Sequence, residues 1–342
     1  MPKIRLFILL AFTLSYTTSL AQSYANKRFL NDKSKRDFLR FLADKYTQNG
    51  IAILDAEDDY KNYTVYARGP SHQQMLESFG TVIHESCHGY NFQIGISKMK
   101  AVNYANNYQG YYISPTIKIA APEYTVYRST ELNKVVPKAW QKKIFRYDTY
   151  VGDGSEVSSQ VNGIYGMIDE FDAYYQGTKA NLELQNYYET FCDYSDTECW
   201  ADYLSESSSS LYAYYEFRLF IAWYLKYAKQ KYPKVYKETM SNQTLRVAFT
   251  LINNLYADLQ NEYFARRAEI IKKLNTHSNK RVTVENGFLM IYDKDGMGAS
   301  GKGAPDNIIK ELKSYFTSED LAILKQFRID GITIENYKQF LN

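Results

Sequence analysis

Residues 81–91 read TVIHESCHGYN and contain two of the four histidines of the chain. His84 and His88 are four residues apart, so on a helix they differ by about 40° around the axis and project from one face. That spacing allows two imidazoles to bind one zinc ion, and Glu85, about 100° from His84, can contact a metal-bound water as a general base. The alternative is a chance pair at a helix surface or in a core. We interpret the stretch as a zinc site on a helix.

The flanking sequence predicts the helix that this spacing requires. Ser71 is a favourable N-cap after the break at GPSH, and the helix is expected to run to about Phe92. Cys87 falls at the edge of an apolar stripe formed by Leu76, Phe79, Ile83 and Tyr90. We therefore interpret Cys87 as a small buried hydrophobe rather than a nucleophile.

A third ligand must come from a separate part of the chain. After His88 there is no Asp, Glu or His until Glu123. The pattern HExxHxxGxxH is excluded, because Asn91 and Ile94 occupy its glycine and third histidine positions. A catalytic zinc usually takes three protein ligands and leaves one position for water. The downstream candidates are Glu123, Glu131, Glu156, Asp169, Glu170, Asp172, Glu189 and His277.

The segment NGIYGMIDEFDAYYQGTK, residues 162–179, contains the preferred candidate. On a helical wheel Glu170 lies at one edge of an apolar stripe, beside a face of small residues: Gly163, Gly166, Ala173 and Gly177. Such a face allows another helix to come close, and a carboxylate buried there needs a partner such as zinc. The wheel directs Asp169 away from this face and Asp172 to the far edge of the stripe. The alternative is a glutamate that bonds tyrosine hydroxyls or an arginine, or that reaches water.

These two segments resemble a zincin metallopeptidase of the gluzincin type. HESCH matches the HExxH element of that group in full, and DEFDAYY resembles its later helix with a glutamate ligand. The resemblance implies zinc held by His84, His88 and Glu170, with Glu85 activating the water. It covers two short segments and their helical setting rather than the whole chain.

The chain departs from the gluzincin pattern at the residue expected to support a zinc-binding histidine. Many gluzincins carry Asp or Asn four residues after the ligand glutamate, where this chain has Tyr174, so the residue that supports a zinc histidine is unassigned. Tyr174, His277 and other tyrosines are candidate donors to the oxyanion of the reaction, and no spacing in the sequence selects one of them. The strand-like YYISPTIKIAA could bind an extended peptide by strand addition.

Composition and organisation indicate a mostly helical α+β protein. The chain has 342 residues, 45% of them hydrophobic, enough for one large domain or two modest ones. Net charge is +3 and charges are dispersed, which gives no electrostatic case for nucleic acid. We expect a zincin-like catalytic lobe with a small sheet at 22–200, and a helical region with a β-hairpin at 201–342, packed together as one unit.

The secondary structure is predicted from periodicity and turn residues. Helices are expected near 24–48, 156–190, 205–239 and 242–275, with Pro233 kinking the third of these, and two short helices close the chain. Strands are expected at IAILDAEDD, YTVYARG, YYISPTIKIAA and YTVYRS. RVTVENGFLMIYD predicts a hairpin with a type I′ turn at Asn-Gly.

The N-terminus has the features of an export signal. A basic start, an apolar stretch and the small residues SLA predict a signal peptide at 1–21, cleaved near Ala21/Gln22. A retained anchor is the alternative, but the apolar stretch is short for a membrane span, and no stable membrane insertion is expected after cleavage. Cys192 and Cys199 flank a short polar loop, so a disulfide is plausible in an oxidising compartment.

The sequence therefore predicts an exported, zinc-dependent metallopeptidase whose partner is a peptide or protein substrate. One alternative is a binding or structural protein that keeps the scaffold without turnover. Glu85 argues against that reading, because a scaffold would not need a base there. The other alternative is a zinc hydrolase acting on a non-peptide bond.

Overall fold

The computed structural model describes residues 27–58, 62–152, 157–296 and 298–341, so the predicted signal peptide lies outside the described residues. Within these ranges the helices of nine or more residues are α1 Asp32–Tyr46, α2 Gly50–Asp58, α3 His72–Ala101, α4 Gly163–Glu183, α5 Thr197–Ser208, α6 Ala213–Lys231, α7 Pro233–Ser241, α8 Gln243–His277, α9 Asp306–Ser314 and α10 Ser318–Phe327. The strands are β1 Tyr108–Ser114, β2 Ile117–Pro122, β3 Lys280–Glu285, β4 Phe288–Asp293 and β5 Ala299–Gly303. The prediction of a mostly helical α+β protein is confirmed.

Helix α3 carries the histidine pair and begins where the sequence predicts. The Ser71 side chain accepts from the Gln74 backbone N–H, and Gln74 in turn bonds the Ser71 N–H as a capping box. The helix continues to Ala101 rather than ending near Phe92. No proline interrupts 92–101, and the last turn holds Lys98 and Lys100, which suit a helix C-terminus.

Three strand predictions are wrong. Residues 51–58 of IAILDAEDD lie in α2, and YTVYARG contains a 3₁₀ turn at Tyr63–Tyr66. The buried residues Ile53, Leu54 and Glu57 of α2 follow helical spacing, which a short apolar run alone does not reveal. YTVYRS is not a strand either. The Tyr127 N–H donates to the Tyr224 hydroxyl instead of to a neighbouring strand.

Both predicted hairpins are present. Strands β1 and β2 pair antiparallel across YYISPTIKIAA, and β3 and β4 pair across the Asn-Gly turn. Asn286 and Gly287 have φ values of 52° and 82°, as a type I′ turn requires at both central residues. The glycine-rich segment after β4 adds a strand that was not predicted, β5, so this sheet has the order β3-β4-β5.

The predicted long helices are divided by turns. The expected helix at 156–190 is α4, flanked by four-residue helices at Ser158–Val161 and Gln185–Tyr188. Pro233 does not kink a continuous helix, because it stands at the start of α7, where its missing N–H costs nothing. Helices α1 and α8 lie near their predicted positions, and α9 and α10 are the short helices that close the chain.

Helix α4 lies at the centre of the packing. It contacts α3 on one side and α5, α6 and α8 on others. At the α3 contact, a Cβ on Gly177 would lie 2.5 Å from the Gly80 carbonyl oxygen, so only glycine permits this approach. Gly163 and Gly166, expected on the same face, instead pack on the backbone of Tyr127 and Ser159.

The cysteines also follow the prediction. Cys192 and Cys199 form a disulfide, and Cys87 is fully buried in α3 with a free thiol. Burial raises the pKa of the Cys87 thiol well above its ordinary value, which is consistent with a structural role. Among the described residues no helix is long and apolar enough to cross a bilayer.

Candidate metal centre

Three side chains from α3 and α4 bring one ligand atom each to a common point. His84 Nε2 and His88 Nε2 are 3.2 Å apart, and Glu170 Oε2 lies 3.5 Å from the first and 3.4 Å from the second. Two ligands at about 2.05 Å from a tetrahedral ion are separated by about 3.3 Å. The triangle of ligand atoms therefore has the dimensions that a small tetrahedral metal ion requires, and His84, His88 and Glu170 form a group able to hold one.

Glu170 is buried in a way that needs a positive partner. The residue is 8% exposed, and its Oε2 faces the Nε2 atoms of His84 and His88 at 3.5 and 3.4 Å. Burial opposes ionisation, but the charge of His88 and hydrogen bonds from both histidines outweigh it and hold the Glu170 pKa well below its usual range. An ionised carboxylate facing two imidazole nitrogens is an environment that a metal cation satisfies.

Asp169 supports the second histidine. Its Oδ2 accepts from His88 Nδ1 at 2.7 Å, which fixes that proton on Nδ1 and leaves Nε2 free as a ligand. Burial disfavours the charged imidazole, but Asp169 and Glu170 outweigh it and raise the His88 pKa well above its ordinary value. The wheel placed Asp169 away from the site, and that expectation is wrong. A wheel gives directions around α4 alone, whereas the His88 ring reaches Asp169 from the crossing helix α3.

Asn91 joins the site to the first sheet, and its role was not predicted. Its Nδ2 donates to Asp169 Oδ1 at 2.8 Å and to Asp172 Oδ2 at 3.1 Å. Its Oδ1 accepts from the Tyr112 N–H of β1 at 2.6 Å. Burial raises the pKa of Asp172 to about 8. The only sequence signal was the position of Asn91, three residues after His88 and so near it on the helix surface.

Glu85 stands at the open side of the ligand group. Its Oε1 is 4.0 Å from His84 Nε2, and its side chain is 38% exposed. No hydrogen bond to its carboxylate is found among the described residues. The carboxylate is therefore accessible beside the ligand atoms, where the sequence predicted a general base.

Two tyrosines complete the wall of the site. The Tyr174 ring lies 4.3 Å from the His84 ring, and its hydroxyl is 3.0 Å from that of Tyr150. Burial, with smaller contributions from Glu170 and Tyr174, raises the Tyr150 pKa far above its ordinary value. Tyr150 was not among the predicted site residues, and no motif or spacing in the sequence distinguishes it from the other tyrosines.

The ligand group lies between two cavities. A larger one of about 700 Å³ extends past His88 and Phe92, and a smaller one of about 270 Å³ extends past Arg146 and Tyr174. His84, Glu85 and Tyr150 line both. The ligand group is thus bordered by a cavity on each of two sides.

The other candidate ligands lie elsewhere or outside the described residues. Within the described ranges neither cavity is lined by Glu123, Glu131, Glu189 or His277. His277 ends α8 beside the Tyr194 ring, 6.4 Å away between centroids, so the structure gives it no place near the ligands. Glu156 is not among the described residues.

The strand expected to bind peptide is already occupied at its centre. The Tyr112 N–H donates to Asn91 Oδ1, and the Tyr112 carbonyl accepts from Gln176 Nε2 at 2.7 Å. Helices α3 and α4 therefore use the edge of β1 that β2 leaves free. Strand addition at this edge of YYISPTIKIAA is not supported.

Comparison of the chain with protein-family models, with curated proteins and with solved structures finds no match.

Proposed function

We propose that the chain is an exported zinc-dependent metallopeptidase that hydrolyses peptide bonds with Glu85 as general base. The observation that carries this proposal is the triangle of His84, His88 and Glu170 ligand atoms with the exposed Glu85 carboxylate beside it. Two imidazoles and one carboxylate are the donor set of many catalytic zinc sites. The short ligand separations favour zinc over larger oxygen-preferring ions such as calcium.

The residues of this chain have distinct roles in such a reaction. Zinc, when bound, polarises the substrate carbonyl and lowers the pKa of water. Glu85 accepts the proton of the attacking water and passes it to the leaving amine nitrogen. The Tyr150 hydroxyl, beside Glu170, donates to the developing oxyanion. Asp169 keeps His88 in the tautomer whose Nε2 is a ligand.

The two cavities favour an extended polypeptide as the substrate. Because Glu85 lines both, a chain lying across it would place residues on each side of the cleaved bond. A small ester or amide would need only one of these cavities. A scaffold without turnover is disfavoured, since the described residues provide no hydrogen-bond partner for the Glu85 carboxylate.

Export is part of the proposal. The Cys192–Cys199 disulfide is compatible with an oxidising compartment, and the N-terminal 21 residues have the pattern of a signal peptide. Cleavage near Ala21/Gln22 is expected when the full chain is expressed with a secretion system. Mass determination of the exported protein measures the cleavage position.

The experiment uses the mature chain, its zinc content and the cleavage of a fluorescently labelled, unfolded casein. We expect about one zinc per chain, loss of cleavage with a chelator and recovery with added zinc. Glu85→Gln should retain zinc and lose about 10²–10⁴-fold in kcat. Glu269→Gln, an exposed change on α8, is the matched control.

The outcomes separate the parts of the proposal. A wild-type chain that retains no zinc would reject the metal centre. Full activity of Glu85→Gln would reject its role as base. Zinc binding by Glu170→Ala as tight as that of the wild type would reject the third ligand.

A further inference from the structure

The two histidines of the ligand group are supported in different ways. His88 donates from Nδ1 to Asp169 at 2.7 Å, whereas the buried Nδ1 of His84 has no hydrogen-bond partner among the described residues. Ligand histidines almost always use this second nitrogen to fix the orientation of the ring. The His84 ring must therefore be oriented by contacts of another kind.

Among the residues that the structure describes, Tyr174 supplies the closest aromatic contact to that ring. The two ring centroids are 4.3 Å apart at 61°, an edge-to-face arrangement. Tyr174 stands four residues after Glu170 on α4, so one face of the helix provides both a ligand and the surface behind another ligand. Gly177, three residues further, would place a Cβ 3.2 Å from the His84 Cβ, so the histidine is enclosed on this side too.

Other buried or partly buried side chains hold the Tyr174 ring in its position. The Arg146 guanidinium lies 4.2 Å from the ring centroid, and Arg146 Nη1 pairs with Glu216 Oε2 at 2.6 Å. Both members of this ion pair are almost completely buried, at 5% and 0% exposed side chain. The ring also packs on Phe217 at 5.3 Å, and its hydroxyl bonds Tyr150. These contacts leave the Tyr174 ring little freedom to move.

We propose that Tyr174 is a positioning residue for His84, and that its ring, held by the Arg146–Glu216 pair, does for His84 what Asp169 does for His88. Many gluzincins carry Asp or Asn at the position of Tyr174. In this chain that position then supports the histidine by packing rather than by a hydrogen bond. The ring, not the hydroxyl, carries this role. The proposal rests on the metal-binding part of the proposed function and is independent of peptidase activity.

The test measures zinc affinity of the mature chain by competition with a chromophoric chelator, together with the visible spectrum of the cobalt-loaded protein. Tyr174→Phe keeps the ring, so its dissociation constant should stay within about 3-fold of wild type. Tyr174→Leu should weaken zinc binding about 10–100-fold, the usual effect of losing an outer support, and change the cobalt spectrum. Tyr175→Leu removes the next buried tyrosine of α4, which packs on Tyr256, and should leave affinity unchanged.

A second variant protects the test against misfolding of Tyr174→Leu. Arg146→Met combined with Glu216→Gln removes the ion pair without leaving a buried unpaired charge. Tyr174 itself is unchanged in this variant, but its ring loses the contact that holds it. The double variant should weaken zinc binding about 3–10-fold, less than the about 10–100-fold of losing an outer support outright, because the Tyr174 ring itself remains. Thermal denaturation of the metal-free variants checks that each one folds.

Several results would overturn the proposal. Wild-type affinity in Tyr174→Leu means that the ring does not orient His84. If Tyr174→Phe and Tyr174→Leu lose the same amount of zinc affinity, the hydroxyl and not the ring carries the effect. If the folded double variant binds zinc with wild-type affinity, the Arg146–Glu216 pair is not what holds the Tyr174 ring. A wild-type chain that binds no zinc overturns the proposed metal centre and this inference together, which distinguishes that failure from the other three.

Discussion

Asp169 receives hydrogen bonds at both carboxylate oxygens, and every partner is a donor. Oδ2 accepts from His88 Nδ1 at 2.7 Å, and Oδ1 accepts from Asn91 Nδ2 at 2.8 Å and Gln109 Nε2 at 3.3 Å. Asparagine has the same shape but one donor end. If its NH₂ group faces the side-chain amides of Asn91 and Gln109, donors face a donor and these two hydrogen bonds are lost. If its NH₂ faces His88, the imidazole must move its proton to Nε2, which can then no longer act as a ligand.

Asp169→Asn is therefore expected to weaken zinc binding although it is isosteric. Loss of such an outer support costs about 10–100-fold in metal affinity, or about 1.4–2.8 kcal/mol. We expect Asp169→Ala to fall in this range and Asp169→Asn to lose at least about 10-fold. Chelator competition on the mature chain measures both, with circular dichroism to compare folding. Asp258→Asn, an exposed change on α8, is the matched control.

Two results would contradict the proposed role of Asp169. If Asp169→Asn binds zinc as tightly as wild type, the donors around Asp169 do not select a carboxylate. If Asp169→Ala loses less than about 2-fold, well below the usual effect, the His88 hydrogen bond does not orient the ligand at all.

Two further predictions concern stability. Burial lowers the pKa of His72 to about 4, so between about pH 6.5 and 4 the unfolded chain binds more protons and folding stability falls as pH falls. In chelator, urea unfolding at pH 7.5 and 5 should show about 1–2 kcal/mol of this loss in wild type and less in His72→Gln; equal pH dependence in both would contradict it. The Cys192–Cys199 disulfide closes a loop with a separation of 7 residues, so Cys192→Ala with Cys199→Ala should lower the free energy of unfolding by about 2–2.5 kcal/mol. Unchanged unfolding with and without reductant would show that the bond contributes nothing.

The sequence was sufficient for features that depend on one helix. A period of 3.6 residues sets the relative directions of His84, Glu85 and His88, so two candidate ligands and a candidate base could be named before any fold was known. Glu170 could be selected because its place at the edge of an apolar stripe implies burial, and buried charge requires a partner. The structure brings Glu170 Oε2 within 3.5 Å of both histidines.

Local sequence was insufficient where periodicity is short or where side chains meet across elements. IAILDAEDD has too few residues to distinguish a strand from a buried helix, and packing against α3 decides in favour of α2. The partners of the ligand group were missed for a different reason. Asp169 reaches His88 because two helices cross, and Tyr150 reaches Tyr174 from the short helix Tyr147–Tyr150, with a sequence separation of 24 residues.

The sequence by itself thus determined the chemistry available: two imidazoles on one helical face, a neighbouring carboxylate, and a buried glutamate on another helix. Only the tertiary structure decided how that chemistry is held. Glycine at residue 177 lets α3 and α4 approach closely enough for the three ligand atoms to meet. The support of His88 by Asp169 and the packing of His84 on Tyr174 depend on the angle and distance between these helices. Neither quantity is encoded in the periodicity of one helix, because both result from the packing of the whole core around α4.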